Sequence, residues 1–271
     1  MSGQVDSNIW QEILRFPLQG RSQKPRQQGL TMVLDKGLGP GELKDLLVTA
    51  ADYIDFIKLG FGTTALYRGT LLEEKITLAK SFGVDIYPGG TFLEIAVLQN
   101  KLLEYIHTAR RLGFNAIEVS EGTIEMSPEV RASAISEARK LGLKVLTEVG
   151  KKLPKNKVSV ASYIGKIRQD LEQGACLVIL EGRESGKNAG IYDSEGRFIK
   201  DGMEELLEAV DCSRLLWEAP LKNQQQELIL RFGPNVNLGN IPPQEVLALE
   251  ALRVGLRGDT LYHVYKSQSS S

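Results

Sequence analysis

The stretch Leu177-Val-Ile-Leu-Glu-Gly-Arg-Glu-Ser-Gly-Lys-Asn-Ala-Gly-Ile191 combines an apolar run with a charged, glycine-containing loop. Four consecutive apolar residues, 177–180, are typical of a strand that is covered on both faces, as in a parallel sheet. The polarity then changes at Glu181, and charged residues alternate with glycines as far as Gly190. The stretch therefore predicts a buried strand whose carboxyl end presents a polar loop.

This loop contains the residue types that bind both a cation and an anion. Glu181 offers carboxylate oxygen to a cation, while Arg183 and the backbone at Ser185 and Gly186 offer hydrogen-bond donors to an anion. A solvated, salt-bridged surface loop is the alternative interpretation. Because several other predicted strands end in the same way, we favour the functional interpretation.

A repeat of about 30 residues organises the chain from residue 30 onward. Strand-like apolar runs alternate with segments of helical apolar spacing. Several predicted helices end at a glycine suited to a left-handed cap, namely Gly83, Gly113, Gly142, Gly174 and Gly233. The strand-like runs are 30–34, 54–59, 84–87, 115–119, 143–147, 176–180, 214–217 and 235–238.

Eight strand–helix units in regular alternation predict an α/β fold, a single (β/α)8 TIM barrel, because a closed parallel sheet leaves no edge. We expect the barrel to span 30–262, after an N-terminal helix and connector (1–29) and before a flexible tail (263–271). An open doubly wound sheet is the alternative, since Gly60-Phe-Gly-Thr-Thr-Ala65 matches a dinucleotide-binding pattern. No predicted helix starts directly after that loop, so we interpret it as a tight turn.

Composition and charge argue against several classes of function. The 271 residues are 42% hydrophobic and 25% charged, which is enough to bury a full core. The net charge is −1 with acids and bases interleaved, so neither nucleic acid nor a membrane is an expected partner. No apolar run is long enough to span a bilayer. Cys176 and Cys212 form no metal or disulfide pattern, so we expect a reduced, cytoplasmic protein.

In a parallel barrel, the residues that follow each strand meet at one face, where the active sites of this fold lie. Charged or amide side chains occupy most of these positions, although a salt-bridged loop residue is the alternative interpretation for any single one. The residues are Asp35-Lys36, Lys58, Gly89-Gly90-Thr91, Glu118-Val-Ser120-Glu121, Glu148 with Lys151-Lys152, Glu181 with Arg183-Glu184, Glu218, and Asn237 with Asn240.

This predicted rim contains carboxylates, lysines and asparagines but no histidine. His107 falls within the predicted helix 94–112 and His263 lies near the tail, which argues against histidine acid–base chemistry and zinc sites. Carboxylate ligands suit magnesium or manganese, and a lysine can act as acid, base or imine former. The residues alone therefore leave open a metal-dependent enzyme and a lysine enzyme of the class I aldolase type.

Eight motifs follow one another along the chain: Leu34-Asp-Lys-Gly37, Asp52-Tyr-Ile-Asp-Phe-Ile-Lys-Leu-Gly60, Tyr87-Pro-Gly-Gly-Thr91, Thr147-Glu-Val-Gly-Lys-Lys152, Glu181-Gly-Arg-Glu-Ser-Gly186, Glu218-Ala-Pro-Leu-Lys222, Gly233-Pro-Asn-Val-Asn237 and Leu256-Arg-Gly-Asp-Thr260. Together, over about residues 29–262, they resemble the phosphosulfolactate synthase family. Departures are small. Phe61 stands where the family often has tryptophan, and Thr91-Phe-Leu-Glu94 where it often has Thr-Leu-Phe-Glu.

The resemblance implies a (β/α)8 barrel and a magnesium-dependent carbon–sulfur lyase. The implied reaction adds sulfite to phosphoenolpyruvate and gives (2R)-2-phospho-3-sulfolactate, an early step toward coenzyme M in methanogens. Such an addition pushes electrons into the substrate carboxylate, where a divalent cation stabilises the charge, and a lysine then protonates the phosphate-bearing carbon. The family also includes plant heat-stress-associated proteins, so a non-catalytic homologue is a further alternative.

We assign candidate residues to three roles. The candidate metal ligands for Mg²⁺ are Glu148, Glu181, Asp35 and Glu218. The candidate proton donors, with a pKa lowered by crowding and partial burial, are Lys152, Lys151 and Lys58 in that order. The candidate substrate-binding residues, above all for phosphate, are Lys36, Arg183, Ser185, Gly186, Asn237, Gly239 and Asn240. We also expect a homo-oligomer.

Overall fold

The computed structural model describes residues 9–150, 160–187, 191–197, 199 and 203–269. Its strands are β1 (Thr31–Asp35), β2 (Phe56–Leu59), β3 (Asp85–Pro88), β4 (Ala116–Val119), β5 (Lys144–Val149), β6 (Leu177–Leu180), β7 (Leu215–Glu218) and β8 (Leu238–Ile241). Its α-helices are α1 (Ile9–Ile13), α2 (Pro40–Ala50), α3 (Gly69–Ser81), α4 (Gly90–Leu98), α5 (Leu102–Leu112), α6 (Pro128–Lys140), α7 (Val160–Gln173), α8 (Met203–Ala209), α9 (Lys222–Phe232), α10 (Val246–Arg253) and α11 (Gly258–Ser269).

The eight strands are parallel and are hydrogen-bonded in the order β3-β2-β1-β8-β7-β6-β5-β4. Each strand thus lies beside its neighbours in the chain, as in a barrel, whereas a doubly wound sheet reverses its order at a switch point. Between β3 and β4, the Asn115 side chain accepts from Ile86 N at 2.9 Å and donates to Asp85 Oδ1 at 2.6 Å. The chain forms the predicted (β/α)8 barrel, nearly closed, and the open-sheet alternative is wrong.

Side chains along each strand alternate between the barrel interior and the surrounding helices. Met32 and Tyr87 belong to the apolar cluster inside the barrel, while Val33 and Ile57 pack against the helix layer. Full burial of such a side chain contributes about 1.5–3 kcal/mol. Toward the carboxyl ends, the inward positions change from apolar to charged. The apolar residue and the charged residue two positions later are Phe56 and Lys58, Ala116 and Glu118, Leu146 and Glu148, and Leu216 and Glu218.

Three elements differ from the sequence prediction. β8 covers 238–241 rather than 235–238. The sequence pattern places this strand too early because Gly239 and Asn240 are residue types that are depleted in strands. The predicted helix 94–112 is two helices, since Asn100 between them has a left-handed φ of 56°. α11 continues through 263–269, where the sequence predicts a tail, and these residues include no glycine or proline. Within the described ranges, no helix has the length and apolar character of a membrane span.

Candidate active site

Five buried charged side chains meet at the carboxyl end of the barrel: Lys58, Glu118, Glu148, Glu181 and Glu218. We refer to them as the rim cluster. Lys58 Nζ lies 2.9 Å from Glu118 Oε1, 3.3 Å from Glu218 Oε1 and 3.6 Å from Glu148 Oε2. Among the described residues, the Lys58 ammonium pairs with three of these four carboxyl groups, and buried charges need compensation. The rim cluster therefore favours an additional cation.

Three carboxylates of the rim cluster have a geometry that suits a metal ion. One oxygen from each of Glu148, Glu181 and Glu218 lies within 4.8 Å of the others, and all three residues are buried. Ligand sets made of oxygen alone suit magnesium, manganese or calcium rather than zinc or copper. The three residues, hereafter the triad, therefore fit the kind of ion that the sequence predicts.

Backbone groups hold the carboxylates of the triad in place. Arg183 N donates to Glu181 Oε1 at 2.7 Å, and Gly182 N donates to Glu218 Oε2 at 3.0 Å. These bonds tie one oxygen of each carboxylate to the loop after β6. The loop after β6 thus orients two of the three candidate ligands.

Two glycines allow the backbone to approach the rim cluster closely. Gly150 has a φ of 127°, and a Cβ there would lie 2.5 Å from Glu181 Cβ. A Cβ at Gly90 would lie 2.6 Å from Glu118 Oε1, the oxygen to which Gly90 N donates at 2.8 Å. A larger residue at either position would displace a buried carboxylate.

The charges of the rim cluster shift the pKa values of its members. Burial lowers the pKa of Lys58, but the carboxylates of Glu118, Glu218 and Glu148 outweigh burial and raise it well above the ordinary value. Burial raises the pKa of Glu118, against the opposing effect of Lys58. The prediction of a lowered lysine pKa is therefore wrong for Lys58, because its neighbours are carboxylates rather than other lysines.

Asp35, a predicted metal ligand, lies at the end of β1 but does not join the triad. Its Oδ2 is 2.7 Å from Nζ of the fully buried Lys75, and its Oδ1 accepts from Gly37 N and Leu38 N at 2.8 Å each. Alternation along β1 explains this placement, because Met32 points into the barrel and Asp35 therefore points toward the helices. We do not retain Asp35 as a candidate ligand.

Asn237, a predicted phosphate contact, lies at the opposite end of the barrel. Its Oδ1 accepts from Leu30 N at 2.9 Å, and its Nδ2 donates to Ser213 O and Leu215 O at 2.9 Å each. Leu30 and Ser213 precede β1 and β7, and Leu215 is the first residue of β7, so these atoms lie at the amino ends of the strands. The predicted placement of Asn237 at the rim is wrong, because β8 begins only at Leu238.

The Asn237→Ala substitution is accordingly expected to affect stability rather than substrate binding. It leaves two buried backbone groups and one partly buried group without their partner, at about 1–3 kcal/mol for each buried group that stays unsatisfied. Urea unfolding should show a lower free energy of unfolding, while the KM for substrate stays unchanged. A raised KM with unchanged stability would contradict the structural role.

The remaining substrate-binding candidates differ in how their polar groups are used. Lys36 is paired with Glu184 at 3.5 Å, and both side chains are about half exposed. Ser185 is exposed, and Gly186 O accepts from Gln224 Nε2 at 2.7 Å. Within the described part of the chain, no ion pair engages Arg183, whose backbone is left-handed with a φ of 59°. Arg183 is therefore the best placed of these residues for an anion.

Gly239 and Asn240 lie where β8 bulges against β1. Thr31 and Val33 pair with Leu238 and Ile241, so β8 has one extra residue, and Asn240 has a φ of 54°. Asn240 Oδ1 is buried and has no hydrogen-bond partner among the described residues. Gly239 makes room for the Leu216 side chain inside the barrel. Asn240 thus has an uncommitted polar atom, whereas Gly239 serves the packing.

Two buried carboxylates of the site have no role in the sequence prediction: Glu118, which the sequence places at the rim, and Glu94, which it does not. Glu118 pairs with Lys58, and Glu94 extends from α4 to Ser120. Each is the only charged residue of an apolar element, β4 and α4 respectively, which is the signal that could have identified both. Lys151 and Lys152, the leading candidates for the proton donor, lie outside the described residues.

Comparison with known proteins gives consistent results. The family model of (2R)-phospho-3-sulfolactate synthase (ComA) matches residues 19–259. A phosphosulfolactate synthase of Methanothermobacter thermautotrophicus is 49% identical over 243 residues, 89% of this chain and 94% of that protein. The Arabidopsis thaliana protein HEAT-STRESS-ASSOCIATED 32 is 22% identical over 86% of this chain and 88% of its own length.

Among solved structures, a 3-hexulose-6-phosphate synthase from Salmonella typhimurium superposes with a TM-score of 0.53. The match covers 84% of this chain and all of that chain at 12% sequence identity. At this identity, the likeness shows the barrel fold alone.

Proposed function

The chain belongs to the (2R)-phospho-3-sulfolactate synthase family, as its motifs predict, and on this basis we propose that it adds sulfite to phosphoenolpyruvate in a Mg²⁺-dependent reaction. The product would be (2R)-2-phospho-3-sulfolactate, which makes the enzyme a carbon–sulfur lyase. The observation that supports the metal dependence is the buried triad of Glu148, Glu181 and Glu218.

The triad provides hard oxygen ligands for the proposed ion. When bound, a divalent cation would stabilise the negative charge that develops on the substrate carboxylate. Magnesium usually takes one or two protein carboxylates and keeps several waters, so the third member of the triad would accept hydrogen bonds from those waters. Lys58 adds a fixed positive charge beside the triad, since its pKa is raised well above the ordinary value.

The proposal is tested by incubating purified protein with phosphoenolpyruvate, sulfite and Mg²⁺ and following phosphorus by ³¹P NMR. We expect the phosphoenolpyruvate signal to be replaced by that of an alkyl phosphate monoester, and EDTA to stop the conversion. Conversion that is insensitive to EDTA would contradict the metal dependence. Absence of any conversion under these conditions would contradict the proposed reaction.

For the substrate phosphate we propose Arg183, because a guanidinium fork matches a phosphoryl group and no ion pair within the described residues engages this side chain. The Arg183→Lys substitution keeps the charge and loses the fork. Losing one charge-assisted hydrogen bond costs about 1.5–3 kcal/mol, so KM for phosphoenolpyruvate should rise about 10–100-fold in steady-state kinetics. Arg197→Lys is the control, since Arg197 is exposed and paired with Asp193. Equal KM values for the two variants would contradict the assignment.

The proton donor remains the lysine predicted from the motif Glu148-Val-Gly-Lys-Lys152. If Lys152 protonates the phosphate-bearing carbon, Lys152→Ala should lower kcat by about 10²–10⁴-fold with little change in KM. Lys151→Ala is the comparison variant, since Lys151 is the second candidate in the same motif, and we expect it to keep near-normal turnover. In deuterated water, the wild type should place deuterium on one face of that carbon. A racemic product, or near-normal turnover by Lys152→Ala, would contradict this assignment.

Two alternatives can be separated from the proposed reaction. A class I aldolase mechanism needs a neutral lysine amine, and the raised pKa of Lys58 disfavours this residue as the imine former. Trapping with borohydride and a carbonyl substrate would detect an imine on any other lysine. A non-catalytic role would be favoured if calorimetry with Mg²⁺ present detected no binding of phosphoenolpyruvate.

Two further expectations belong to this proposal. The described Cys176 and Cys212 are both free thiols, which fits a reduced, cytoplasmic location. Ile95, Leu98 and Leu103 on α4 and α5 are large apolar side chains that are at least two-fifths exposed, which supports a homo-oligomer. Light scattering of the purified protein would measure its mass in solution.

A further inference from the structure

Glu94 lies directly behind the triad and contacts it through one serine. The residue is 1% exposed and projects from α4, where it is the only charged side chain. Ser120 Oγ lies 2.8 Å from Glu94 Oε1 and 2.8 Å from Glu148 Oε1. The Ser120 hydroxyl therefore links α4 to a candidate metal ligand, with both carboxylates within hydrogen-bond distance of its oxygen.

The second oxygen of Glu94 is also fixed. Glu94 Oε2 accepts from Thr123 N and from Ile124 N at 2.9 Å each, in the loop that follows β4. Both oxygens are thus held by the protein, which leaves the carboxylate no freedom to rotate. A buried carboxylate in an apolar helix costs free energy unless hydrogen bonds compensate its charge, as they do here.

The Ser120 hydroxyl has one hydrogen and two carboxylate neighbours, so it can donate to only one of them at a time. Glu94 is anchored by two backbone groups, whereas Glu148 has its other oxygen, Oε2, on the side of Lys58 at 3.6 Å. Ser120 therefore holds Glu148 Oε1 and leaves Oε2 on the side of Lys58, which fixes the rotation of this carboxylate. Residues that orient a ligand in this way tune metal affinity.

We infer that Glu94 is a positioning residue for Glu148, acting through Ser120, and that it thereby sets the affinity of the triad for a divalent cation. The inference rests on the metal site of the proposed function. It does not make Glu94 a ligand, since its two oxygens are already engaged by Ser120 and by the loop after β4.

The test is calorimetric titration of the full chain with Mn²⁺ in the absence of substrate. Loss of a residue that orients a ligand typically weakens metal binding about 10–100-fold, and we expect this for Glu94→Ala and for Ser120→Ala. If Glu94 acts on Glu148 through Ser120, the double variant should bind Mn²⁺ no more weakly than the single variant with the lower affinity. Glu250→Gln is the control, because Glu250 is a buried carboxylate paired with Arg21 at the other end of the barrel.

Glu94→Gln separates positioning from general damage to the fold. A glutamine can turn its oxygen to the backbone N–H groups of Thr123 and Ile124 and its amide to Ser120, so we expect Mn²⁺ affinity within about threefold of the wild type. Ser120→Ala removes a single oxygen, so it tests the link between Glu94 and Glu148 even if Glu94→Ala does not fold. Unchanged Mn²⁺ affinity in Ser120→Ala, or additive losses in the double variant, would overturn the inference.

Failure of the inference can be distinguished from failure of the proposed metal site. If the wild type does not bind Mn²⁺, or if Glu181→Gln binds it equally tightly, the triad is not the metal site. If the wild type binds Mn²⁺ and Glu181→Gln does not, while Ser120→Ala binds normally, the metal site stands and the role of Glu94 is refuted.

Discussion

Turnover of the Glu181→Gln variant is expected to fall about 10²–10⁴-fold, because a bound cation supplies several kcal/mol of charge stabilisation and each 1.4 kcal/mol changes a rate tenfold. The substitution keeps the volume of the buried side chain but removes one negative charge from the triad. Glutamine also places an amide group either toward Arg183 N, which donates to Glu181 Oε1 at 2.7 Å, or toward the proposed metal site. Either orientation weakens metal binding.

The measurement is kcat as a function of Mg²⁺ concentration, with the Mn²⁺ affinity determined separately by calorimetry. The concentration of Mg²⁺ at half-maximal rate should rise together with the loss of kcat. Glu184→Gln is the matched control, since Glu184 lies in the same loop, is about half exposed and pairs with Lys36. Full activity of Glu181→Gln with unchanged Mg²⁺ dependence would remove Glu181 from the site.

The fold could be predicted from the sequence because its signal is repeated and local. Buried parallel strands such as 177–180 are short apolar runs, and each is followed by a helix with its own spacing and stop. The prediction failed at β8, where packing overrides propensity. Gly239 leaves space for Leu216, and Asn240 adopts a left-handed φ of 54°, and neither fact is visible in the residue pattern.

The sequence predicts members of the candidate site only where a residue lies at the carboxyl end of a strand. Lys58, Glu148, Glu181 and Glu218 were predicted to meet at the rim, and the structure brings them together. Asp35 was misjudged because the sequence shows that a residue ends a strand but not which face it occupies. That face depends on the register, and a shift of one residue exchanges inside and outside.

Contacts between distant segments explain the rest of what the sequence did not show. The pKa of Lys58 depends on Glu118, Glu148 and Glu218, which lie on three other strands, so the sign of its shift follows from the assembled barrel. Glu94 and Ser120 meet only because α4 packs against β4. A residue's type can be read locally, but its electrostatic environment is a property of the fold.

The Lys58→Met substitution is expected to lower the free energy of unfolding by about 3–5 kcal/mol at pH 8, because it leaves buried carboxylates without their cation. Methionine approximates the length of the side chain, so the loss reports the charge rather than a cavity. Lys222→Met is the control, since Lys222 is about half exposed and its pairing with Asp259 is worth at most about 1 kcal/mol. Urea unfolding in EDTA at pH 5 and pH 8 measures both variants against the wild type.

The loss in the free energy of unfolding of Lys58→Met, relative to the wild type, should be smaller at pH 5 than at pH 8. Burial already raises the pKa of Glu118, and Lys58 opposes that shift, so removing Lys58 raises the pKa of Glu118 further. An acid whose pKa is raised on folding favours the folded state when protonated, and this contribution is lost as pH rises through the folded pKa. In the wild type, the raised pKa of Lys58 gives a contribution that is fully present below its unfolded pKa of about 10.4 and therefore constant between pH 5 and pH 8. An equal deficit at both pH values would show that the loss of stability in Lys58→Met does not come from buried, uncompensated carboxylates.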